Sequence, residues 1–292
     1  MGSLPADDYF AGLDIGSTMT KVVILGGAKE FSLVGPTGPE HRKLANRVME
    51  QALELARIKL DQVAYIVATG YGRINVPFAD RQVTEITCHA KGLAHIFPNV
   101  KTVIDVGGQD IKAIRMENGR VVDFVMNDKC ASGTGRFLEI MADALGVSLD
   151  ELGKLSLAAH KPAVISNTCT VFAEQEIISR LAEGEALPNL IAGIHDAVAA
   201  RIYALASKLK IEREVVLTGG GAKNPGLVRA LESRFGFPLL IPPDPLITGA
   251  LGAALMGRQA YQEAVLAGRA IARKPRELKE ASLFEGLEQA RC

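Results

Sequence analysis

Two hydrophobic patterns alternate along the chain. Short apolar runs that end in glycine-containing turns predict strands, whereas longer segments with apolar residues every three or four positions predict helices. Residues 9–25 (YFAGLDIGSTMTKVVIL) and 100–116 (VKTVIDVGGQDIKAIRM) each have two apolar runs around such a turn, which predicts a strand, a tight turn and a second strand. Helical spacing predicts helices over residues 41–60, 137–145, 190–209 and 247–256. This alternation is typical of an α/β fold.

The two strand–turn–strand segments match each other in a fixed frame. Asp14 aligns with Asp105, and the residues that follow keep the pattern of an Asp-Ile/Val-Gly turn. A second match pairs residues 66–72 (IVATGYG) with residues 215–221 (VVLTGGG). Two matches in the same order indicate a duplicated α/β domain.

The repeats divide the chain into two halves. We expect the first half over residues 1–98, closed by a helix over residues 247–258, and the second half over residues 99–246. Residues 259–292 are charged and helix-prone, and they form a predicted C-terminal appendage whose role the sequence does not define.

The composition favours a soluble, globular protein. Hydrophobic residues make up 48% of the 292 residues and charged residues 23%, which argues against a disordered chain. Lys+Arg and Asp+Glu are equal at 33 each, so no bulk field recruits nucleic acid or an anionic membrane. The sequence shows no apolar stretch of spanning length and no signal-peptide pattern, which predicts a cytoplasmic protein without a membrane partner.

The duplicated turns carry residues suited to binding a nucleoside triphosphate. Small residues let backbone N–H groups approach phosphate oxygens, and the carboxylates of Asp14 and Asp105 are suited to hold the water shell of Mg²⁺. Lys21 adds a positive charge for the β- and γ-phosphates. The predicted nucleotide-binding residues are Gly16, Ser17, Thr18, Lys21, Gly107, Gly108, Gly219, Gly220, Gly221 and Gly249.

These segments resemble the nucleotide-binding motifs of the actin/Hsp70/sugar-kinase (ASKHA) ATPase superfold. The phosphate loops would be Asp14–Lys21 and Asp105–Asp110, the adenosine loop Leu217–Ala222, and one connecting helix Thr248–Ala254. The resemblance covers about residues 9 to 256 and implies two domains that clasp Mg·ATP and close by a hinge. It does not distinguish transfer of the phosphate from its hydrolysis.

Two cysteines stand in the segments NDKCASGTGRF and SNTCTVFAE, as Cys130 and Cys169. Each precedes a predicted helix, with Thr134 and Thr170 as predicted caps or near-caps, and a helix N-terminus favours a thiolate or an anionic cluster. A [4Fe-4S] cluster usually has four cysteine ligands, which a two-fold dimer would supply from two chains. The alternative is that both cysteines are small buried hydrophobic residues.

Other cysteine and histidine residues carry weaker signals. Cys88 and His89 are adjacent, and two neighbouring residues rarely form a metal site, so a structural role is expected for both. Cys292 is predicted to be an exposed thiol without function, and His195 lies within an amphipathic helix, where a structural or interfacial role is expected.

The two cysteine segments, taken with four others, show a closer resemblance to a known family. The other four segments are VATGYGR, TEITCHAKG, IDVGGQD and AGIHDAVAARI. Together they are similar to the ATP-dependent activators of 2-hydroxyacyl-CoA dehydratases, a family that includes ATPase subunits of benzoyl-CoA reductase and reductases of double-cubane cluster proteins. The resemblance implies that Cys130 and Cys169 bind one [4Fe-4S] cluster shared across a homodimer. It also implies that ATP hydrolysis drives a low-potential electron from ferredoxin or flavodoxin into a partner iron–sulfur enzyme, with the partner's identity open.

The expected reaction is ATP hydrolysis coupled to electron transfer. Gln109 is the preferred residue to orient the attacking water, with Asp14 and Asp105 holding Mg²⁺ and with Asp105 as the second candidate for the base. A small-molecule kinase of the same superfold is the main alternative, because Asp110 is a candidate base for a substrate hydroxyl. A nucleotide-gated chaperone or scaffold would leave the two cysteines unexplained.

Overall fold

The chain forms two compact units. Unit 1 comprises Met1–Ile96 and Leu246–Cys292, and unit 2 comprises Phe97–Pro245. The structure is a computed structural model that describes residues 8–166, 169–269, 271 and 276–278.

The strands and helices of the described residues are numbered in chain order. They are β1 Tyr9–Ile15, β2 Met19–Gly26, β3 Lys29–Pro36, α1 His41–Ala56, β4 Val63–Thr69, β5 Arg81–Gln82, α2 Glu85–Ile96, β6 Thr102–Val106, β7 Ile111–Glu117, β8 Arg120–Asn127, α3 Gly135–Leu145, α4 Leu149–Leu157, α5 Thr170–Ala182, α6 Leu187–Ala206, β9 Val215–Thr218, α7 Pro225–Phe235 and α8 Thr248–Leu266.

The sheet of unit 1 has the strand order β3-β2-β1-β4-β5. β1 pairs with β2 antiparallel and with β4 parallel, so it lies in the middle of the sheet. Its sequence is almost continuously apolar, because a central strand covered on both faces must bury all its side chains. One cover is α8, which approaches β1 so closely that a Cβ on Gly12 would lie 2.0 Å from the carbonyl oxygen of Ala250.

The sheet of unit 2 repeats this arrangement with the order β8-β7-β6-β9. β6 pairs with β7 antiparallel and with β9 parallel, as β1 does with β2 and β4. Its core packs β6 and β9 against α3, α6 and α7, with Phe137, Ile194 and Leu217 buried. The repeated topology confirms the duplication predicted from the two sequence matches.

The C-terminal helix is longer than predicted. The helix expected over residues 247–258 continues to Leu266 in the structure, so the boundary placed at residue 259 falls inside α8. Most of the predicted appendage beyond residue 269 lies outside the described residues, apart from residue 271 and residues 276–278. In the part of the chain that is described, no helix has the length and hydrophobicity to cross a membrane.

Candidate nucleotide-binding turns and thiol site

The first predicted phosphate loop is the turn between β1 and β2. Asp14, at the end of β1, is 4% exposed and lies opposite Lys21 in the strand register, with Lys21 Nζ 3.3 Å from Asp14 Oδ2. The backbone N–H of Gly16 donates to the Met19 carbonyl over 3.1 Å and closes the turn. The turn therefore presents a buried carboxylate with a lysine beside it, next to half-buried Gly16, Ser17 and Thr18.

The second predicted phosphate loop repeats this geometry between β6 and β7. Asp105 is 4% exposed and lies opposite Lys112, and Gly107 N–H donates to the Asp110 carbonyl over 2.9 Å. Lys112 is buried, with Nζ 2.6 Å from Asp110 Oδ2 and 3.5 Å from Asp105 Oδ2. Gln109 is exposed at the tip of this turn, and Gly108 beside it is half-buried.

A glycine with positive φ closes over each aspartate. Gly70 follows β4 with φ +81°, and Gly219 follows β9 with φ +80°. A Cβ at Gly70 would lie 2.5 Å from Asp14 Oδ1, and one at Gly219 would lie 2.5 Å from Asp105 Oδ1. The predicted site did not include Gly70. Its alignment with Gly219 in the two T-G-x-G segments could have identified it from the sequence.

The remaining predicted nucleotide-binding glycines lie at two places. Gly220 is exposed, whereas Gly221 is buried, and a Cβ there would lie 2.7 Å from Val106 Cβ. Gly249 belongs to unit 1, in the first turn of α8, where its Cα faces the Asp14 carboxylate. An α-helix begins with backbone N–H groups that have no intrahelical acceptor, so this helix end is suited to lie near a carboxylate or a phosphate.

Both candidate cluster cysteines lie on unit 2 and are exposed to solvent. Cys130 lies in the loop between β8 and α3, and its carbonyl accepts a 3.0 Å hydrogen bond from Asn127 Nδ2. Cys169 is itself the N-cap residue of α5. Thr170, predicted as a cap or near-cap, is the first helical residue and directly follows the cap. Thr134 is the N-cap of α3, as predicted, and its hydroxyl donates to the Ala131 carbonyl over 2.6 Å.

The start of α3 is hydrogen-bonded directly to the second phosphate loop. Gly135 N–H donates to the Gly107 carbonyl over 2.9 Å, and Arg136 N–H donates to the Gly108 carbonyl over 2.7 Å. These amides belong to the first turn of α3, whose N–H groups have no intrahelical acceptor. The loop that carries Cys130 and the phosphate loop are consequently joined through one short helix start.

Exposed apolar side chains follow Cys169 closely in the sequence. Val171 and Phe172, in the first turn of α5, are 61% and 62% exposed. Large exposed apolar side chains at one place indicate a surface that is covered by a partner. Across the described residues, no group of three or more His, Cys, Asp or Glu side chains is arranged to hold a metal ion. The described residues of one chain therefore present two exposed cysteines, with exposed apolar side chains near Cys169 in the sequence.

Two other candidate groups are buried and do not fit a catalytic role. Burial raises the pKa of the Cys88 thiol to about 12, so it stays protonated at neutral pH and is a poor metal ligand. Burial lowers the pKa of His195 to about 4, so the ring is neutral, and its Nε2 lies 3.0 Å from Asn224 Nδ2 at the start of α7. Both observations agree with the structural roles expected from the sequence.

The duplicated β-sheet units and their Asp–Lys turns define an ATPase of the actin-like class. The chain belongs to the BadF/BadG/BcrA/BcrD ATPase family, which matches residues 11–257. Both the superfold and the family expected from the sequence are confirmed.

Two relatives align with this chain over nearly their whole length. The activator of lactoyl-CoA dehydratase from Anaerotignum propionicum is 46% identical over 263 residues, which is 87% of this chain and 99% of the relative. The (R)-2-hydroxyglutaryl-CoA dehydratase activating ATPase from Acidaminococcus fermentans is 46% identical over 264 residues, 88% of this chain and 98% of the relative.

Two solved structures also superpose on this chain. The activator of the 2-hydroxyisocaproyl-CoA dehydratase from Clostridium difficile, solved with bound ADPNP, superposes with a TM-score of 0.84 at 41% identity, covering 90% of this chain and 99% of that one. A ROK family glucokinase from Streptomyces griseus superposes with a TM-score of 0.53 at 13% identity, covering 86% of this chain and 99% of that one, which shows a shared fold alone.

Proposed function

We propose that this protein is an ATP-hydrolysing activator that holds one [4Fe-4S] cluster between two identical subunits and delivers low-potential electrons to an iron–sulfur enzyme. The partner is of the 2-hydroxyacyl-CoA dehydratase type, since the relatives described above are activators of such enzymes. The proposed electron donor is ferredoxin or flavodoxin, and the proposed location is the cytoplasm, where such carriers operate.

One observation carries the proposal: the two exposed thiols, Cys130 and Cys169, stand on the same unit as the second phosphate loop. Their chemistry fits a cluster, because iron–sulfur clusters are held by cysteine thiolates and Cys169 caps a helix N-terminus, which favours negative charge. Two thiols per chain match half of a four-thiolate set, and exposed Val171 and Phe172 supply apolar surface for a second subunit. A bound [4Fe-4S] cluster would supply the one-electron carrier.

The residues of the two turns are assigned to nucleotide chemistry. The carboxylates of Asp14 and Asp105 are hard oxygen ligands suited to the water shell of Mg²⁺, and each is held in place by a lysine. Gln109 is exposed at the tip of its turn, where its amide is free to orient a water molecule without becoming a strong base. Backbone groups of Gly16, Gly107 and the other predicted glycines are assigned to the phosphates and the nucleoside.

ATP is proposed to act on the thiol site through the start of α3. A γ-phosphate that moves Gly107 or Gly108 displaces the carbonyls that accept from Gly135 and Arg136. That displacement reaches Thr134, whose hydroxyl and amide both bond the Ala131 carbonyl next to Cys130. The nucleotide state would thereby change the surroundings of the cluster within unit 2.

The kinase alternative is disfavoured by the surroundings of its candidate base. Asp110 is 5% exposed and its Oδ2 lies 2.6 Å from Lys112 Nζ. A buried carboxylate oxygen that already contacts an ammonium group is poorly placed to reach a substrate hydroxyl. Hydrolysis by an oriented water is therefore the better supported reaction.

Iron content of anaerobically purified variants tests the proposal. The parent protein should be a dimer with about four irons per two chains. Cys130→Ser and Cys169→Ser should each lose this iron and the associated absorbance near 400 nm while keeping nucleotide binding, because the phosphate-binding residues are unchanged. Cys292→Ser is the matched control and should keep the iron. Retention of iron in both Cys130→Ser and Cys169→Ser would refute the cluster assignment.

A further inference from the structure

His89 lies in unit 1 on the helix that packs against the start of α8. The contact between α2 and α8 is unusually close: a Cβ at Gly92 would lie 2.2 Å from the Thr248 carbonyl oxygen, and one at Gly252 would lie 1.7 Å from that of Cys88. Backbones that meet without intervening side chains leave little freedom to neighbouring groups. The His89 ring, which is 6% exposed, is thus fixed in orientation.

The two ring nitrogens of His89 face different partners. Nδ1 lies 2.9 Å from the hydroxyl oxygen of Thr248, the fully buried first residue of α8. Nε2 lies 3.2 Å from the position that a Cβ on Gly249 would occupy, and Asp14 Oδ2 lies 3.0 Å from that same point. Nε2 of His89 and Oδ2 of Asp14 therefore both lie beside the Cα of Gly249, close enough to each other for one water molecule to bridge them.

The other sides of the Asp14 carboxylate are already enclosed. Lys21 Nζ lies 3.3 Å from Oδ2, and the Gly70 backbone closes against Oδ1. A carboxylate that holds the water shell of a cation must keep its oxygens in one orientation, and groups behind it fix that orientation. His89 occupies the side next to α8.

We propose that His89 is a positioning residue for magnesium-dependent ATP hydrolysis: its imidazole connects Thr248 at the start of α8 to the Asp14 carboxylate and orients that carboxylate. The proposal rests on the assignment of Asp14 to the magnesium site. His89 does not contact the nucleotide in this scheme, so it acts through Asp14 alone.

Two substitutions at His89 distinguish the roles of its two ring nitrogens. The His89→Gln amide reaches the place of Nε2, and the His89→Asn amide reaches that of Nδ1. Steady-state ATPase rates would be measured against Mg²⁺ concentration at saturating ATP, together with the KM for ATP and the thermal midpoint. His89→Asn should raise the Mg²⁺ concentration for half-maximal rate by ~10- to 100-fold with a smaller change in KM, as for groups that support a metal-site carboxylate. His89→Gln should restore most of this loss, and exposed His95→Gln on the same helix is the control.

Each outcome decides the proposal. The proposal is overturned if both variants keep the Mg²⁺ dependence of the parent. It is also overturned if His89→Asn, and not His89→Gln, restores that dependence, or if both variants lose activity equally and in proportion to the drop in thermal midpoint. Either of these last two results would leave His89 with only a structural bond to Thr248. If His89→Asn does not fold, His89→Gln is compared with Thr248→Val, which removes the hydroxyl partner of Nδ1. A parent-like His89→Gln beside an impaired Thr248→Val then supports the proposal, and the reverse overturns it. Asp14→Asn is measured in parallel, because a parent-like Asp14→Asn would instead refute the magnesium assignment itself.

Discussion

Arg276 offers the sharpest test of how the C-terminal segment is attached to unit 1. Its guanidinium donates to the carbonyls of Val63 and Ala64 and to the Asp80 carboxylate, and the Arg276 and Asp80 side chains are 8% and 12% exposed. Asp80 Oδ2 also accepts from Ile66 N–H over 2.7 Å, so the pair braces the beginning of β4.

Arg276→Met should destabilise unit 1 because it leaves a buried carboxylate without its cation. Removal of one partner from a buried pair costs about 3–5 kcal/mol. Asp80 keeps its bond from Ile66, so we expect the lower end, ~3 kcal/mol, which corresponds to a fall of roughly 6–12 °C in thermal midpoint. The same free energy makes amide exchange in β4 ~100-fold faster where exchange needs this unit to open.

Hydrogen exchange followed by mass spectrometry on the peptide that covers Val63–Thr69 measures this effect locally. Exposed Arg269→Met, on the same C-terminal segment, is the matched control and should exchange like the parent. A double-mutant cycle with Asp80→Asn should give a coupling of ~1–3 kcal/mol. Equal exchange in Arg276→Met and Arg269→Met, with no coupling to Asp80, would show that the guanidinium contributes nothing to the stability of unit 1.

Further predictions concern the nucleotide and thiol sites. Gly219→Ala adds a Cβ 2.5 Å from both Asp105 Oδ1 and the Val106 carbonyl oxygen at a positive φ. Because such strain costs ~1–3 kcal/mol, calorimetry should show ATP binding weakened by at least ~10-fold. Gly38→Ala, whose Cβ meets no described atom within 4 Å, is the control, and parent-like ATP affinity in both variants would contradict the reasoning. Gln109→Ala should lower kcat with little change in nucleotide affinity, because a water-orienting group acts at the transition state; a parent-like kcat would transfer that role to Asp105 or another residue. An anaerobic iron chelator should remove iron faster from the reduced protein with a non-hydrolysable ATP analogue than with ADP, and identical rates with either nucleotide and without one would refute coupling between phosphate loop and cluster.

The parts of the fold that follow from local pattern were predictable. Strand pairs around a tight turn have a register set by the turn itself, so aligning Asp14 with Asp105 also placed each aspartate opposite its lysine. The helix starts next to the cysteines were predictable to within a few residues, since α3 begins directly after Thr134, a favoured N-cap residue. The cap position itself is taken by Cys169 rather than by Thr170, which the sequence did not indicate because cysteine is an uncommon N-cap residue.

Contacts between distant parts of the sequence were not predictable. His89 meets Thr248 across 159 positions, and Arg276 meets Val63 across 213, and neither separation leaves a trace in hydrophobic period or turn chemistry. Burial of Lys112 was missed for a related reason: a lysine is expected at the surface, and only the two carboxylates that converge on it in the folded turn make burial tolerable.

The close packing of α8 on β1 sets an order of events during synthesis. Unit 1 takes α8 from residues 248–266, whereas unit 2 uses the uninterrupted residues 97–245. At ~5–20 residues per second, the ribosome needs roughly 10–30 s to pass from the end of the first segment of unit 1 to the end of α8. During that interval the strand face around Gly12, which packs closely against α8, stays without that cover, while unit 2 has all the residues it needs to fold. Nascent chains halted before residue 248 should therefore be the ones that bind chaperones and aggregate, and slow translation upstream of α8 should lower the yield of folded protein.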